Sequence, residues 1–251
     1  MNERETSPSD ARREVRDDMK VLLGDIAERL IEVAAQAIEA RGQFTFVLAG
    51  GSTPKVLYEL LASDQYRARI DWTRTVVLFG DERAVSPDDE QSNYRMARES
   101  LFDLVPLPAH NIHRMRGELS DLNAAAKEYG LLVQELGTTL DVCLLGMGDD
   151  GHTASLFPHS PQLDEARHRC VATPIASHAP HVARLTLTYR TFNAARHIWI
   201  IVTGEAKAAR LAQVVEGARD FHALPIQNIA PSAGELIWWL DDKAAKSLTS
   251  K

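Results

Sequence analysis

Only two cysteines occur in the chain, Cys143 and Cys170, and both sit in apolar runs. A disulfide-dense scaffold is excluded; two buried free thiols in a reducing compartment are expected, with a single bridge as the alternative. No apolar run reaches the ~18 residues that a membrane span needs. The amino-terminal stretch MNERETSPSDARREVRDD is charged and lacks the apolar centre of a secretory signal, so a cytoplasmic location is expected. Basic excess is missing too. The net charge is −7, which argues against a nucleic-acid partner, because phosphate backbones need a clustered basic face. A small anion is still permitted, since a few local cations and helix N-termini outweigh the global sign. HExxH and CxxC patterns are absent, and His110 with His113, like His178 with His181, has no framework of cysteines or carboxylates nearby. No metal site is expected. The glycine turn at 50–54, GGSTP, is neither a Walker loop nor the GxGxxG dinucleotide fingerprint, and the chain has no GxSxG nucleophile elbow.

What remains is an ordinary globular composition, 45% hydrophobic and 25% charged over 251 residues, enough to bury a core without staples. Residues 1–10 read as a polar tail and residues 11–251 as a single α/β domain. Over 11–41 the apolar residues Leu22, Ile26, Leu30, Val33 and Ala37 recur at three and four, which predicts an amphipathic helix. Apolar runs at 44–49, 75–80, 141–146 and 197–204 predict strands, each followed by turn residues and a helical stretch (55–62, 92–102, 122–136 and 205–215). Strands apolar on both faces, alternating with helices, predict an open, mostly parallel sheet with helices on both faces. CVATP and RLTLT, between Cys170 and Thr188, suggest a small additional sheet.

Polar motifs begin where the apolar strands end: GGSTP, GDER, GMGDDGH and TGEAK. Ligands of open α/β sheets bind at the carboxyl ends of strands, so one shared site is expected there. Each motif alone also reads as turn chemistry. Gly50 and Gly51 allow close backbone approach, Ser52 or Thr53 can cap the helix that follows, and its free N–H groups suit phosphate. Asp81 or Glu82 can serve as hydroxyl ligand or proton relay, and Arg83 can grip an anion. Gly146, Gly148 and Gly151 crowd a turn that holds Asp149, Asp150 and His152. His152 is expected just before or at the start of a helix, where a neutral imidazole able to act as general base is favoured. Arg184 falls on a short strand, and Lys207 in a helix's first turn, where a cation opposes the dipole and so hints at an anion.

Together GGSTP, GDER with the downstream SNYRMARESL, GMGDDGHTASLFP, RLTLT, FNAARHIWIIVTGEAK and the terminal WWLD resemble the 6-phosphogluconolactonase family. The likeness runs from about Phe44 to Asp241. It implies a Rossmann-like fold and action on a sugar-phosphate lactone without metal or organic cofactor. It also implies catalytic roles for His152, Asp150, Asp81 and Arg83, and phosphate binding by Gly51, Ser52, Arg184 and Lys207. A monomer or weak homo-oligomer is expected. The family departs from this chain in often carrying Glu where Asp149 stands. Two rivals share the features: a sugar-phosphate deaminase or isomerase, and a catalytically silent sugar-phosphate-binding module. The deaminases carry a Glu soon after the histidine, whereas residues 153–158, TASLFP, hold no carboxylate. The metal-free reading predicts that lactonase activity survives exhaustive EDTA treatment unchanged; loss on chelation, restored by zinc or magnesium, would overturn it.

Overall fold

The computed structural model describes residues 11–176 and 179–249; the tail expected over 1–10, and His178, lie outside them. Strands and helices alternate through the first half as β1 (Arg12–Arg16), α1 (Met19–Arg41), β2 (Phe44–Leu48), α2 (Ser52–Leu61), β3 (Thr75–Phe79), β4 (Asp81–Arg83), α3 (Asn93–Ser100) and α4 (Leu122–Glu135). The second half adds β5 (Val142–Gly146), β6 (Cys170–Thr173), β7 (Arg184–Leu187), α5 (Tyr189–Phe192), β8 (His197–Val202), α6 (Ala208–Glu216) and β9 (Glu235–Asp241).

Six strands make one sheet in the order β1-β9-β8-β5-β2-β3, with every neighbouring pair parallel. Every residue of β2 and of β3 is buried. Successive side chains point to opposite faces, so both faces of the sheet are covered, as a Rossmann-like α/β fold requires. The α1 stripe Leu22, Ile26, Leu30, Val33 and Ala37 is buried throughout. CVAT and RLTL pair as β6 and β7, and Cys143 and Cys170 are free and buried, both as expected. From β2 the chain steps to β3 on one side and later to β5 on the other. Loops leaving the two strands part at that reversal and open a crevice at the carboxyl ends.

The structure corrects two expectations. The helix expected from residue 11 begins only at Met19, where Asp18 caps it by accepting from the Val21 N–H at 2.9 Å. The residues before it, RREVR, form β1 at the sheet edge beside β9. Its charges hide it from a reading of apolar pattern, yet they suit an edge strand: Arg16 donates to Glu14 at 2.9 Å and pairs with Asp25. The second correction concerns GDER. Asp81, Glu82 and Arg83, expected among the turn residues that follow the strand, form β4, antiparallel to β7, with Asp81 opposite Thr186 and Arg83 opposite Arg184.

At the opposite end of the sheet, Asp141 fastens β5 to β2. Its buried carboxylate accepts from the Thr45 N–H at 2.8 Å, the Thr45 hydroxyl at 3.0 Å and Arg41 at 2.6 Å, while its own N–H donates to the Thr45 hydroxyl. Arg196 stands 3.4 Å away. Removing the carboxylate leaves a buried N–H unmet beside two guanidinium groups. Asp141→Ala is therefore expected to lose about 3 kcal/mol of stability, read as a lower urea midpoint at unchanged slope. Asp141→Asn, which keeps one acceptor, loses less. A loss below about 0.5 kcal/mol for the alanine variant would show that the contacts are incidental.

Candidate active site

The crevice at the carboxyl ends of β2, β3 and β5 holds a cavity of about 380 Å³. Gly50 and Gly51 line it from the turn after β2, Asp81 and Arg83 from β4, His152 from the turn after β5, Arg184 from β7 and Lys207 from the approach to α6. Asp150 stands behind His152. Two residues expected at the site lie elsewhere: Ser52 lines an adjoining cleft that shares Gly51 and Arg83, and the Thr53 hydroxyl is engaged with that of Thr203 at 3.0 Å. Neither caps α2, whose N-cap is Gly51 with no side-chain bond.

After β5 the chain doubles back on itself. The Gly148 N–H donates to the His152 carbonyl at 2.8 Å, and the Thr153 hydroxyl to the Gly146 carbonyl at 2.8 Å. This brings the imidazole close against Gly148, where a Cβ would fall 2.1 Å from the ring. Phe157 packs on the ring with centroids 4.9 Å apart. Nδ1 lies 2.6 Å from Asp150 Oδ1, which also accepts the His152 backbone N–H at 3.0 Å. A carboxylate at Nδ1 favours the tautomer with its proton there and leaves the Nε2 lone pair available. The helix expected to follow His152 is absent. Residues 153–159 form turns and one isolated bridge, and Ala154 takes a left-handed φ of 48°. The imidazole is thus set by a carboxylate and an aromatic ring, not by a helix end.

The two acids of GDER, indistinguishable in sequence, have separate tasks. Glu82 accepts from the N–H groups of Arg83 (2.7 Å), Asn93 (2.8 Å) and Tyr94 (2.8 Å) and from the Ser92 hydroxyl (3.0 Å). It satisfies the donors that open α3. Burial pushes its carboxyl above the ordinary range, against the pull of those N–H groups. Asp81 faces the cavity, with Oδ2 accepting from the Ser155 hydroxyl at 2.5 Å and Oδ1 from Asn93 Nδ2 at 3.2 Å.

Arg83 and Arg184 stand opposite each other in the β4–β7 ladder, a like-charge arrangement that is unfavourable by itself. Arg83 donates from Nη1 to the Gln91 carbonyl at 2.6 Å and Arg184 from Nη2 to the Pro180 carbonyl at 3.0 Å. The Nε of each is buried with no hydrogen-bond partner among the described residues. Burial lowers the Arg184 guanidinium from its ordinary value, while the Asp81 charge opposes the drop. Two such cations beside one cavity attract an anion. Lys207 precedes α6 and pairs with Asp149, whose carboxyl it holds below the ordinary range. The anion hinted at by this lysine's position is therefore, in the free protein, a residue of the His152 turn.

Among the described residues no group of three or more His, Cys, Asp or Glu side chains is placed to hold a metal ion. Reading the sequence missed Asn93 and Ser155, which hold Asp81, and the tie between Asp149 and Lys207. Only Ser92-Asn93, with the look of a helix start, carried a local signal.

Residues 17–238 match the family described as glucosamine-6-phosphate isomerases/6-phosphogluconolactonase. A 6-phosphogluconolactonase of Nostoc sp. is 39% identical over 243 residues, covering 94% of this chain and 98% of that protein. The structure of a 6-phosphogluconolactonase from Trypanosoma cruzi superposes with a TM-score of 0.84 at 27% identity, covering 98% of this chain and 99% of that one. A monomeric glucosamine-6-phosphate deaminase shares the fold with a TM-score of 0.83 at 19% identity, covering 94% and 99%. With a match across almost its whole length and relatives this similar, the chain belongs to the glucosamine-6-phosphate isomerase/6-phosphogluconolactonase family.

Proposed function

We propose that this protein hydrolyses 6-phospho-D-glucono-1,5-lactone to 6-phospho-D-gluconate, with His152 as general base and without a metal. The observation that carries this reading is the His152–Asp150 pair on a cavity whose other walls bring Arg83, Arg184 and Lys207 together. The names of relatives at 33–40% identity support the same substrate. Nε2 of His152 takes a proton from water as the water oxygen bonds to the lactone carbonyl carbon. The carbonyl oxygen gains charge, which Arg83 meets. As the carbonyl reforms, the bond to the ring oxygen breaks, and that oxygen takes the proton back from the imidazolium to become a hydroxyl. Asp150 keeps the ring oriented and steadies the imidazolium. Asp81, held by Ser155 and Asn93, supports the charge of Arg184. Arg184 and Lys207, with Gly50, Gly51 and the opening backbone of α2, grip the phosphate. An activated ester needs no covalent nucleophile when a base supplies ~10²–10⁴ in rate beyond positioning.

A coupled assay tests the reading: freshly made lactone is hydrolysed, the product is oxidised by its dehydrogenase, and spontaneous hydrolysis is subtracted. Glucosamine 6-phosphate, with ammonia release as readout, is the control for the rival chemistry on this fold. His152→Ala is expected to fold normally and to lose ~10²–10⁴ in kcat with a much smaller change in KM. His152→Gln keeps a hydrogen bond to water but cannot take the proton, and should fall with it. Wild-type kcat/KM should drop on acidification, because a protonated imidazole has no lone pair to offer. Near-native kcat in both variants would move the base elsewhere.

The phosphate grip is tested separately. Arg184→Ala and Lys207→Ala should each raise KM and weaken inhibition by inorganic phosphate about tenfold or more, the effect of one lost charge-assisted contact. Unchanged KM in both would show that the phosphate binds at another place.

A further inference from the structure

Asn93, in the SNYR segment, reaches the cavity's framework from outside its lining. It is 2% exposed, and its backbone is fixed independently by donation to Glu82 at 2.8 Å as the first residue of α3. The carboxamide works on two sides. Nδ2 donates to the Asp81 carbonyl at 2.9 Å and to the Asp81 carboxylate at 3.2 Å. Oδ1 faces Gly50, where a Cβ would sit only 2.1 Å away. A single amide therefore fills the gap between the turn after β2 and the strand β4, and both of these line the cavity. Glycine at position 50 is explained by this amide, with no ligand needed to account for it.

We infer that Asn93 is a positioning residue, whose carboxamide sets the spacing between the Gly50–Gly51 turn and the Asp81 carboxylate and thereby the grip on the substrate's anionic end. A leucine of similar bulk would fill the same gap but would leave the buried Asp81 carbonyl without this donor. Among the described residues Ser155 would then be the only remaining side-chain donor to the carboxylate. The turn, freed from β4, would present its N–H groups to a phosphate less accurately, and small misplacements of this kind weaken binding steeply. The effect belongs on affinity and not on the proton transfer, since the Asn93 amide is engaged with Asp81 and Gly50. This inference rests on the lactonase reading only for the identity of the substrate.

The test compares the full-length wild type with Asn93→Ala, Asn93→Asp, Gly50→Ala and the double variant Gly50→Ala/Asn93→Ala. Lactone kinetics, inorganic phosphate binding by titration calorimetry, and Tm are measured for each. Asn93→Asp keeps the shape against Gly50 but sets an oxygen where the donor stood, so it replaces the bond to Asp81 by repulsion, whereas Asn93→Ala removes the bond and the bulk together. Both Asn93 variants are expected to raise KM and weaken phosphate binding about tenfold, with kcat within about threefold of wild type. Gly50→Ala should lower Tm, and the double variant should regain most of that loss while KM stays raised. Wild-type KM and phosphate affinity in Asn93→Asp would overturn the inference, and so would a Gly50→Ala defect that removing Asn93 does not relieve. A wild type that binds phosphate but hydrolyses no lactone sinks the functional reading alone, and Asn93 is then judged on phosphate and Tm. A wild type that binds no phosphate sinks both.

Discussion

Where the chain passes from the large sheet to the small one, the Glu82 carboxylate collects three backbone N–H groups and one hydroxyl. Much of the site follows from that capture. A carboxylate taken out of water is tolerated only when its oxygens are filled with donors, and here two of the donors are N–H groups that the start of α3 leaves over. Holding α3 in this place puts Asn93 beside both Asp81 and Gly50, and it holds β4 in register with β7. That register sets Arg83 across from Arg184. The charges of GDER are thus layered: one acid anchors a helix, the next faces the cavity, and the arginine meets its counterpart across the ladder.

The other half of the site depends on a shorter piece of chain. The backbone bond from Gly148 to His152 closes a turn in which the imidazole has its Nδ1 tied to Asp150 and the ring close against Gly148. Lys207 joins this turn from across β8 through Asp149. That pair is mostly open to solvent on the aspartate side, and exposed ion pairs are weak, so under the proposed function a phosphate dianion would displace the aspartate at small cost. The turn and the cation are linked before any substrate arrives.

Much of this was legible from residue order. Buried parallel strands are apolar on both faces, so β2, β3, β5 and β8 stood out as runs, and their carboxyl ends located the motifs. What stayed hidden has one physical cause: it depends on partners distant in sequence. RREVR is a strand because β9 offers it an edge. GDER is a strand because β7 pairs with it. Asp81 and Glu82 are chemically alike and neighbours, and only the arrival of α3 tells them apart. The helix expected after His152 fails for the opposite reason, since residues 153–159 spend their polar groups on Gly146, Asp81 and each other. Gly50 reads in sequence as a place of close backbone approach, and the neighbour that residue order could not name is an amide from α3.

The pairing of β1 with β9 has a consequence for biosynthesis. Arg12 lies beside Ile237, so on the ribosome one edge of the sheet emerges among the first segments and waits for nearly the whole domain before its partner strand leaves the exit tunnel. At about 5–20 residues per second that wait lasts on the order of ten seconds or more. An apolar strand left unpaired for so long would invite association with neighbouring nascent chains. RREVR, with four charges in five residues, is a segment that water can keep solvated until β9 arrives, and the same charges that conceal it as a strand protect it in the interval.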